Sequence, residues 1–167
     1  MIGQLLRDLR QPEYVHTLLN PLSIYGLGVA LSALLLALFL RNRPAQGIAL
    51  ALIFICALAV WPVVYFGERA YDNILTMADE DGRAWLDEHE ERAETLMYLF
   101  YALAAVSAAA LVVPIKWPRA AFPLAVATAL LAIGALGAGT NIAHSGGKVR
   151  HREFRTIPPP GNDKSER

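Results

Sequence analysis

The chain has 167 residues, with 15 basic side chains, 15 acidic side chains and 55% apolar residues. This level charge balance excludes a broad basic surface for binding nucleic acid, which needs a large positive field. Four long stretches without a charged residue also argue against a soluble domain, whose helices have a polar side as well as an apolar one.

The four uncharged stretches are predicted to be membrane spans. They cover residues 22–40, 44–66, 95–115 and 120–144. Each is long enough, at about 1.5 Å per residue, to cross the hydrocarbon core of a bilayer, which is roughly 30 Å thick. The sequence therefore predicts an all-α fold, an integral membrane four-helix bundle in contact with the lipid bilayer, with one domain over residues 1–155.

The residues before the first span favour a short amphipathic helix that lies in the membrane interface; a frayed end is the alternative. The apolar positions that recur there at helical spacing are Ile2, Leu5, Leu6 and Leu9. Asn20 and Pro21 then predict the start of a helix, because proline fits the first helical turn. Near the end of the second span, Pro62 predicts a kink.

The segment between the second and third spans, residues 68–94, is predicted to be helical. Its first part, "ERAYDNILTMA", has an apolar face and favours a short helix along the membrane surface. Asp79 to Gly82 are expected to break this helix. The stretch "RAWLDEHEERAETLMYLF" then continues into the third span without proline or glycine.

The third and fourth spans are rich in alanine and glycine, and small residues allow helices to approach closely in lipid. We therefore expect these two spans to pack tightly. Gly146 and Gly147 predict the end of the fourth helix, because glycine readily adopts the positive φ that ends a helix. Residues 156–167 contain three consecutive prolines and are predicted to be a flexible polar tail. No internal repeat is predicted.

Four spans place both termini and residues 68–94 on one face of the membrane, which we call the histidine face. The opposite face consists of the short loops 41–46 and 116–119, with four basic residues and no acidic residue. Segment 68–94 carries ten acidic residues and three arginines. The basic short loops favour a cytoplasmic location for the opposite face, whereas a count that includes the basic C-terminal residues favours the reverse. Of the two cues we prefer the first, which predicts that the histidine face and both termini lie outside the cytoplasm.

All four histidines of the chain lie on the histidine face: His16, His89, His144 and His151. Imidazole is the commonest protein ligand for zinc, copper and haem iron. Glu91 and Glu153 lie two residues from a histidine and are predicted to be further ligands or their hydrogen-bond partners. The alternative is that these side chains only hydrate the end of the bundle.

A b-type haem between helices would need two histidines at similar depth on facing helices. His16 or His89 could pair with His144 in this way, and Lys148, Arg150 and Arg152 could neutralise the propionates. A c-type haem is excluded because the chain lacks the Cys-x-x-Cys-His motif. Protease, P-loop and serine-nucleophile motifs are also incomplete, so no catalytic residue is predicted.

Four segments together resemble bacterial four-helix membrane proteins related to the family known as domain of unknown function 2231. They are "HTLLNPLSIYG", "YFGERA", "WLDEHEERAE" and "HSGGKVRHREFR", and the resemblance covers residues 14–155. It implies a four-span protein of the bacterial inner membrane in a redox or electron-transfer setting. The matching positions are His16, Gly67, Glu68, His89, Glu91, Gly146, Gly147, Arg150, His151 and Glu153. Asn20 and Pro21 depart from the family pattern.

Two functions remain open from the sequence. The first is a membrane protein that binds a metal ion or haem b through its histidines, with Glu68, Arg150 and Arg152 as supporting or anion-binding residues. The second is a non-catalytic subunit of a larger membrane complex or homo-oligomer, docked through the acidic segment and the basic C-terminal residues. A transporter is less favoured, because the spans contain no charged residue of the kind that marks an ion path.

Overall fold

A computed structural model describes residues 2–160, which form helices and no strand. The α-helices are α1 (Ile2–Asp8), α2 (Pro12–Pro21), α3 (Leu27–Phe39), α4 (Arg43–Leu58), α5 (Val60–Met77), α6 (Glu80–Lys116) and α7 (Ala121–Arg150). A π-helical turn, Leu22–Gly26, joins α2 to α3, and short 3₁₀ turns cover Pro118–Ala120 and Arg152–Phe154. The predicted all-α fold is confirmed.

Four rods are long and apolar enough to cross a membrane: Pro12–Phe39, Arg43–Met77, Glu80–Lys116 and Pro118–Arg150. The chain is therefore a multi-pass integral membrane protein, as predicted. Every rod continues past its predicted span on the histidine face. A small apolar cluster around Trp85, Leu86 and Val149 holds the extensions of the second, third and fourth rods together there.

The tightest helix pair is α6 with α7, as the small residues of the third and fourth spans predicted. Alanine side chains along both helices are buried at this contact, among them Ala104, Ala110, Ala125, Ala129, Ala132 and Ala135. In lipid, helices associate through close packing because the hydrocarbon offers no hydrophobic drive. Next to this pair, α4 packs on both α6 and α3, and α2 packs on α5.

Two predicted helix boundaries are wrong. The first helical rod does not begin at Asn20; it begins at Pro12 and continues through Pro21. Proline has no amide hydrogen for the usual helical bond, and the π-helical turn directly after it accommodates this defect. The fourth helix does not end at the glycine pair either, because α7 continues to Arg150.

The helix is interrupted at Ala59, between α4 and α5, about one turn before Pro62, the residue from which a kink is predicted. The break predicted at Asp79 to Gly82 is shorter than expected. Only Ala78 and Asp79 lie outside helices, and the Asp79 side chain caps α6 by accepting a hydrogen bond of 2.9 Å from the backbone N–H of Gly82.

The C-terminal segment folds back on the start of α6. The guanidinium of Arg155 donates hydrogen bonds of 2.9 and 2.8 Å to the two carboxylate oxygens of Asp79. It also donates to the backbone carbonyls of Lys148 and Val149. Residues 156–160 form no helix, and the remainder of the predicted tail, residues 161–167, lies outside the described residues.

Candidate functional site

His16 is held against α5 by its Nδ1 atom. Its Nδ1 lies 2.8 Å from the backbone carbonyl oxygen of Val63. A carbonyl can only accept a hydrogen bond, so Nδ1 carries the hydrogen and Nε2 keeps its lone pair in the neutral ring. The ring crosses Gly67, where an added Cβ would lie only 3.0 Å from Nδ1 and 3.1 Å from Cε1 of His16.

His89 is held against α7 in the same way. Its Nδ1 donates to the carbonyl oxygen of Ile142 at 2.9 Å. The ring crosses Gly146, where an added Cβ would lie 2.9 Å from Cε1 and 3.0 Å from Nδ1 of His89. This contact explains why a glycine lies inside α7 instead of ending it.

The two histidines therefore belong to a repeated unit. In each half of the chain, a histidine precedes the first span of a hairpin, a carbonyl near the end of the second span accepts its Nδ1–H, and a glycine follows that carbonyl by four residues. Sequence comparison of the two hairpins missed this unit, because a backbone carbonyl has no sequence signature. The detectable signal was a histidine before each hairpin and a glycine after it.

The two imidazole rings lie next to each other in an edge contact. Their centroids lie 6.4 Å apart and their planes are perpendicular, with an interplanar angle of 90°. Two imidazoles on opposite sides of one metal ion, each bound at about 2 Å through Nε2, would place their centroids about 6 Å apart. The separation of the two centroids is therefore close to the value for two ligands of one metal.

A cavity of about 290 Å³ surrounds this histidine pair between α2, α5, α6 and α7. Leu86 and Phe100 both line it, and the helix between them rises about 21 Å, so the cavity is an elongated slot. Its membrane end is mainly apolar, with Ile24, Val60 and Phe100. One polar residue missed by the sequence analysis also lines it, the buried Ser23, whose hydroxyl has no hydrogen-bond partner among residues 2–160.

Charged residues of both signs line the cavity on the histidine face. Glu68 from α5 and Glu90 and Glu94 from α6 lie along one side, and Arg150 from α7 also lines it. Burial raises the pKa of Glu90, and the nearby carboxylates Glu94, Asp87 and Glu68 raise it further. Arg150 donates only to the Met77 sulfur, at 3.5 Å, and pairs with no carboxylate in the described part of the chain.

The pKa of His89, on the extramembrane part of α6, is lowered mainly by burial. The hydrogen bond to Ile142 opposes this effect, and the neighbouring His16 and Arg92 add to it. The ring is therefore neutral at pH 7, which is the form that binds a metal.

The remaining predicted ligands lie elsewhere. His144 and Glu91 are exposed, and neither lines the cavity. His151 is also exposed, stacks on Phe154 with centroids 4.8 Å apart, and contacts Glu153 through Nδ1 and Oε1 at 2.9 Å. The predicted pairing of His151 with Glu153 is thus formed, but in a turn at the surface and outside the cavity.

The supporting residues separate in a similar way. Glu68 and Arg150 line the cavity, whereas Arg152 contacts Asp79 at 2.8 Å and Lys148 lies over the ring of Trp85, with Nζ 3.9 Å from its centroid. Across residues 2–160, no group of three or more histidine, cysteine, aspartate or glutamate side chains is arranged to hold a metal ion. The six predicted ligands therefore do not converge, and His16 with His89 is the pair that the structure brings together.

No family model, curated protein or solved structure matches this chain. The resemblance to the family called domain of unknown function 2231 therefore stays a prediction. The chain is assigned to a structural class, the four-span integral membrane proteins.

Proposed function

We propose that the protein binds a b-type haem between His16 and His89 and transfers electrons in a bacterial cytoplasmic membrane. The observation that carries this proposal is the adjacent pair of imidazoles, 6.4 Å apart, each with Nδ1 bonded to a helix carbonyl. Histidines that bind metals usually donate their other ring N–H to a carbonyl or carboxylate, which fixes the tautomer and makes the ligating nitrogen more basic.

The number of ligands favours haem over zinc or copper. Structural and catalytic zinc sites use three or four protein ligands, and a third candidate is lacking around this pair within residues 2–160. A haem needs only two axial ligands from the protein, because the porphyrin supplies the other four nitrogens. The elongated and largely apolar cavity matches a flat macrocycle in shape. Its volume of about 290 Å³ lies just below the roughly 300 Å³ at which ligand pockets begin, so the surrounding helices would have to move apart to admit a haem.

The charges around the cavity favour one orientation of the haem. Its propionates are anionic, so Glu68, Glu90 and Glu94 would repel them. Arg150 lines the same cavity and has no carboxylate partner among the described residues, so it would attract them. Arg150 would therefore hold the propionates, and Phe100 would contact the apolar part of the ring.

Two histidine ligands make electron transfer the fitting role. A haem held by both His16 and His89 would supply reversible one-electron chemistry and would offer no ligand position to a substrate. His16 and His89 would hold the group from opposite faces, while the surrounding apolar side chains exclude water. On this proposal the protein is not an enzyme in its own right.

The basic residues of the two short loops support one orientation in the membrane. Arg41, Arg43, Lys116 and Arg119 are all on the opposite face, in short loops that lack acidic residues. Basic residues in short loops are retained in the cytoplasm. We therefore propose that the haem lies near the extracytoplasmic surface, where it could exchange electrons with a partner outside the cytoplasm.

The test is an absorbance spectrum of the purified protein, before and after addition of haemin. We expect a Soret band and the sharp reduced-state bands of a low-spin b-type haem. The variants His16→Ala and His89→Ala should each lose them. Matched controls are His144→Ala and His151→Ala, which remove exposed histidines outside the cavity and should leave the spectrum unchanged.

A wild-type protein that stays colourless with added haemin would reject the haem proposal. The better hypothesis would then be a non-catalytic subunit of a larger membrane complex, and co-purification of partner chains in mild detergent would test it. Equal loss of haem from all four histidine variants would also contradict the assignment of His16 and His89.

A further inference from the structure

We infer that Gly67 and Gly146 are positioning residues, each of which sets the place and the Nδ1 hydrogen bond of one imidazole. The role of the rings as haem ligands rests on the proposed function. The positioning itself concerns only atoms described above, and it can be tested in protein without haem.

The need for glycine follows from helix geometry. In an α-helix the Cα–Cβ bond tilts toward the N-terminus, so a side chain covers the turn that precedes it. A side chain at position 67 would therefore lie over the carbonyl of Val63, and one at position 146 would lie over that of Ile142. A ring can reach these carbonyls from the side only where the residue four positions later has no Cβ.

The distances agree with this geometry. A Cβ at Gly67 would lie 3.0 Å from the His16 ring, and one at Gly146 would lie 2.9 Å from the His89 ring. Both are shorter than ordinary van der Waals contacts, so the ring has to move. The obstacle in each case is a side chain and not the backbone, and alanine is a better helix former than glycine. The helices should therefore form in both alanine variants while one ring is displaced.

A displaced ring changes the chemistry of the ligand. When the Nδ1–H bond to the carbonyl is lengthened, the tautomer is no longer fixed and Nε2 becomes less basic. A less basic ligand stabilises oxidised iron less, so the midpoint potential should rise. Loss of a partner that orients a metal ligand typically weakens metal binding about 10- to 100-fold.

The experiment compares Gly67→Ala and Gly146→Ala with Gly47→Ala and Gly137→Ala. The last two add the same methyl group to a helix where no atom lies within 4 Å. Nitrogen NMR of the histidine rings in haem-free protein reports the tautomers. Titration with haemin reports the haem affinity, and redox titration of the haem-loaded protein reports the midpoint potential. We expect Gly67→Ala to change the His16 signals alone and Gly146→Ala to change those of His89 alone. Haem affinity should fall about 10- to 100-fold in both, and the controls should match the wild type.

The outcomes separate this inference from the haem proposal. Unchanged ring tautomers in Gly67→Ala and Gly146→Ala would overturn the positioning role, even if the wild type binds haem. A wild type that binds no haem, with ring signals that shift as expected, would support the positioning role and reject the haem.

If Gly67→Ala does not fold, the double variant His16→Ala with Gly67→Ala tests whether the clash with the His16 ring is the cause. Removing the ring removes the clash, so the double variant should recover the stability of His16→Ala. A double variant that stays unfolded would show that Gly67 matters for some other contact, and the inference would be wrong.

Discussion

The four histidines form two pairs with different surroundings. The inner pair, His16 and His89, lies in an edge contact, with each Nδ1 bonded to a helix carbonyl. The outer pair, His144 and His151, is exposed, and His151 contacts a carboxylate that is itself exposed. All four lie on the same membrane face, so a shared face does not make a site. What distinguishes the inner pair is a fixed backbone acceptor for each ring and a glycine that gives access to it.

The largest expected contrast comes from removing each pair as a whole. The double variant His16→Ala with His89→Ala should abolish haem binding, since both axial ligands are lost. The double variant His144→Ala with His151→Ala should bind haem as the wild type does. Haem content per protein after reconstitution measures both. If the outer double variant lost its haem, the difference between the pairs would not be one of ligation.

The next contrast is the response to pH. The His89 pKa is lowered in the folded protein, below its ordinary value of 6.5, so the unfolded state takes up its proton at the higher pH. The stabilisation from neutral His89 is thus complete above about pH 6.5 and is lost as the pH falls through the folded pKa. Haem release, followed by absorbance, should therefore begin below about pH 6.5 and be absent at pH 8. Release that increases toward high pH would contradict a neutral ligand.

A smaller effect is expected from the contact that ties down the C-terminal segment, which carries His151 of the outer pair. Arg155 is 9% exposed and bonds both oxygens of Asp79, whereas Arg152 is 77% exposed. Arg155→Ala should therefore lower the melting temperature by several degrees, and Arg152→Ala by less, because exposed ion pairs contribute little. The spectrum of the inner pair should remain that of a low-spin haem in both variants. A larger decrease of the melting temperature in Arg152→Ala than in Arg155→Ala would contradict this prediction.

The same contact should have its own pH window. Arg155 and the backbone N–H of Gly82 hold the pKa of Asp79 well below its ordinary value of 3.8. The stabilisation is thus complete above about pH 4 and is lost as the pH falls through the folded pKa, well below the range in which His89 titrates. Proteolysis of the C-terminal segment should increase only in this acid range, and Asp79→Asn should remove the dependence.

The smallest effect should come from Ser145, which makes the two inner histidines unequal. The Ser145 hydroxyl donates to the Ile142 carbonyl at 2.7 Å, so this oxygen is shared with His89. Ser145→Ala should leave the oxygen to His89, strengthen its Nδ1–H bond and lower the midpoint potential slightly, opposite in sign to Gly146→Ala. Ser107→Ala, which removes another buried hydroxyl bonded to a carbonyl of its own helix, is the control. A rise in potential in Ser145→Ala would contradict this account.

The spans and the shared face of the histidines could be predicted because they depend on local composition and on counting helices. The sequence does not allow a prediction of which histidines meet, because this depends on the rotation and depth of helices that are distant in the chain. His89 and Ile142, for example, are 53 residues apart. The local rule that glycine ends a helix was misleading at Gly146, where a ring from another helix occupies the space of the missing side chain.

The π-helical turn at Leu22–Gly26 divides the first rod into two segments with different phases. A turn that holds one extra residue offsets the helix on either side by about 100° relative to a continuous α-helix. Leu27, Leu31 and Leu34 can thus face the apolar core while His16, on the same rod, faces α5. Deleting one residue of this turn would keep the span intact and rotate His16 away from Val63. The position of this proposed ligand thus depends on an irregularity several residues away from it.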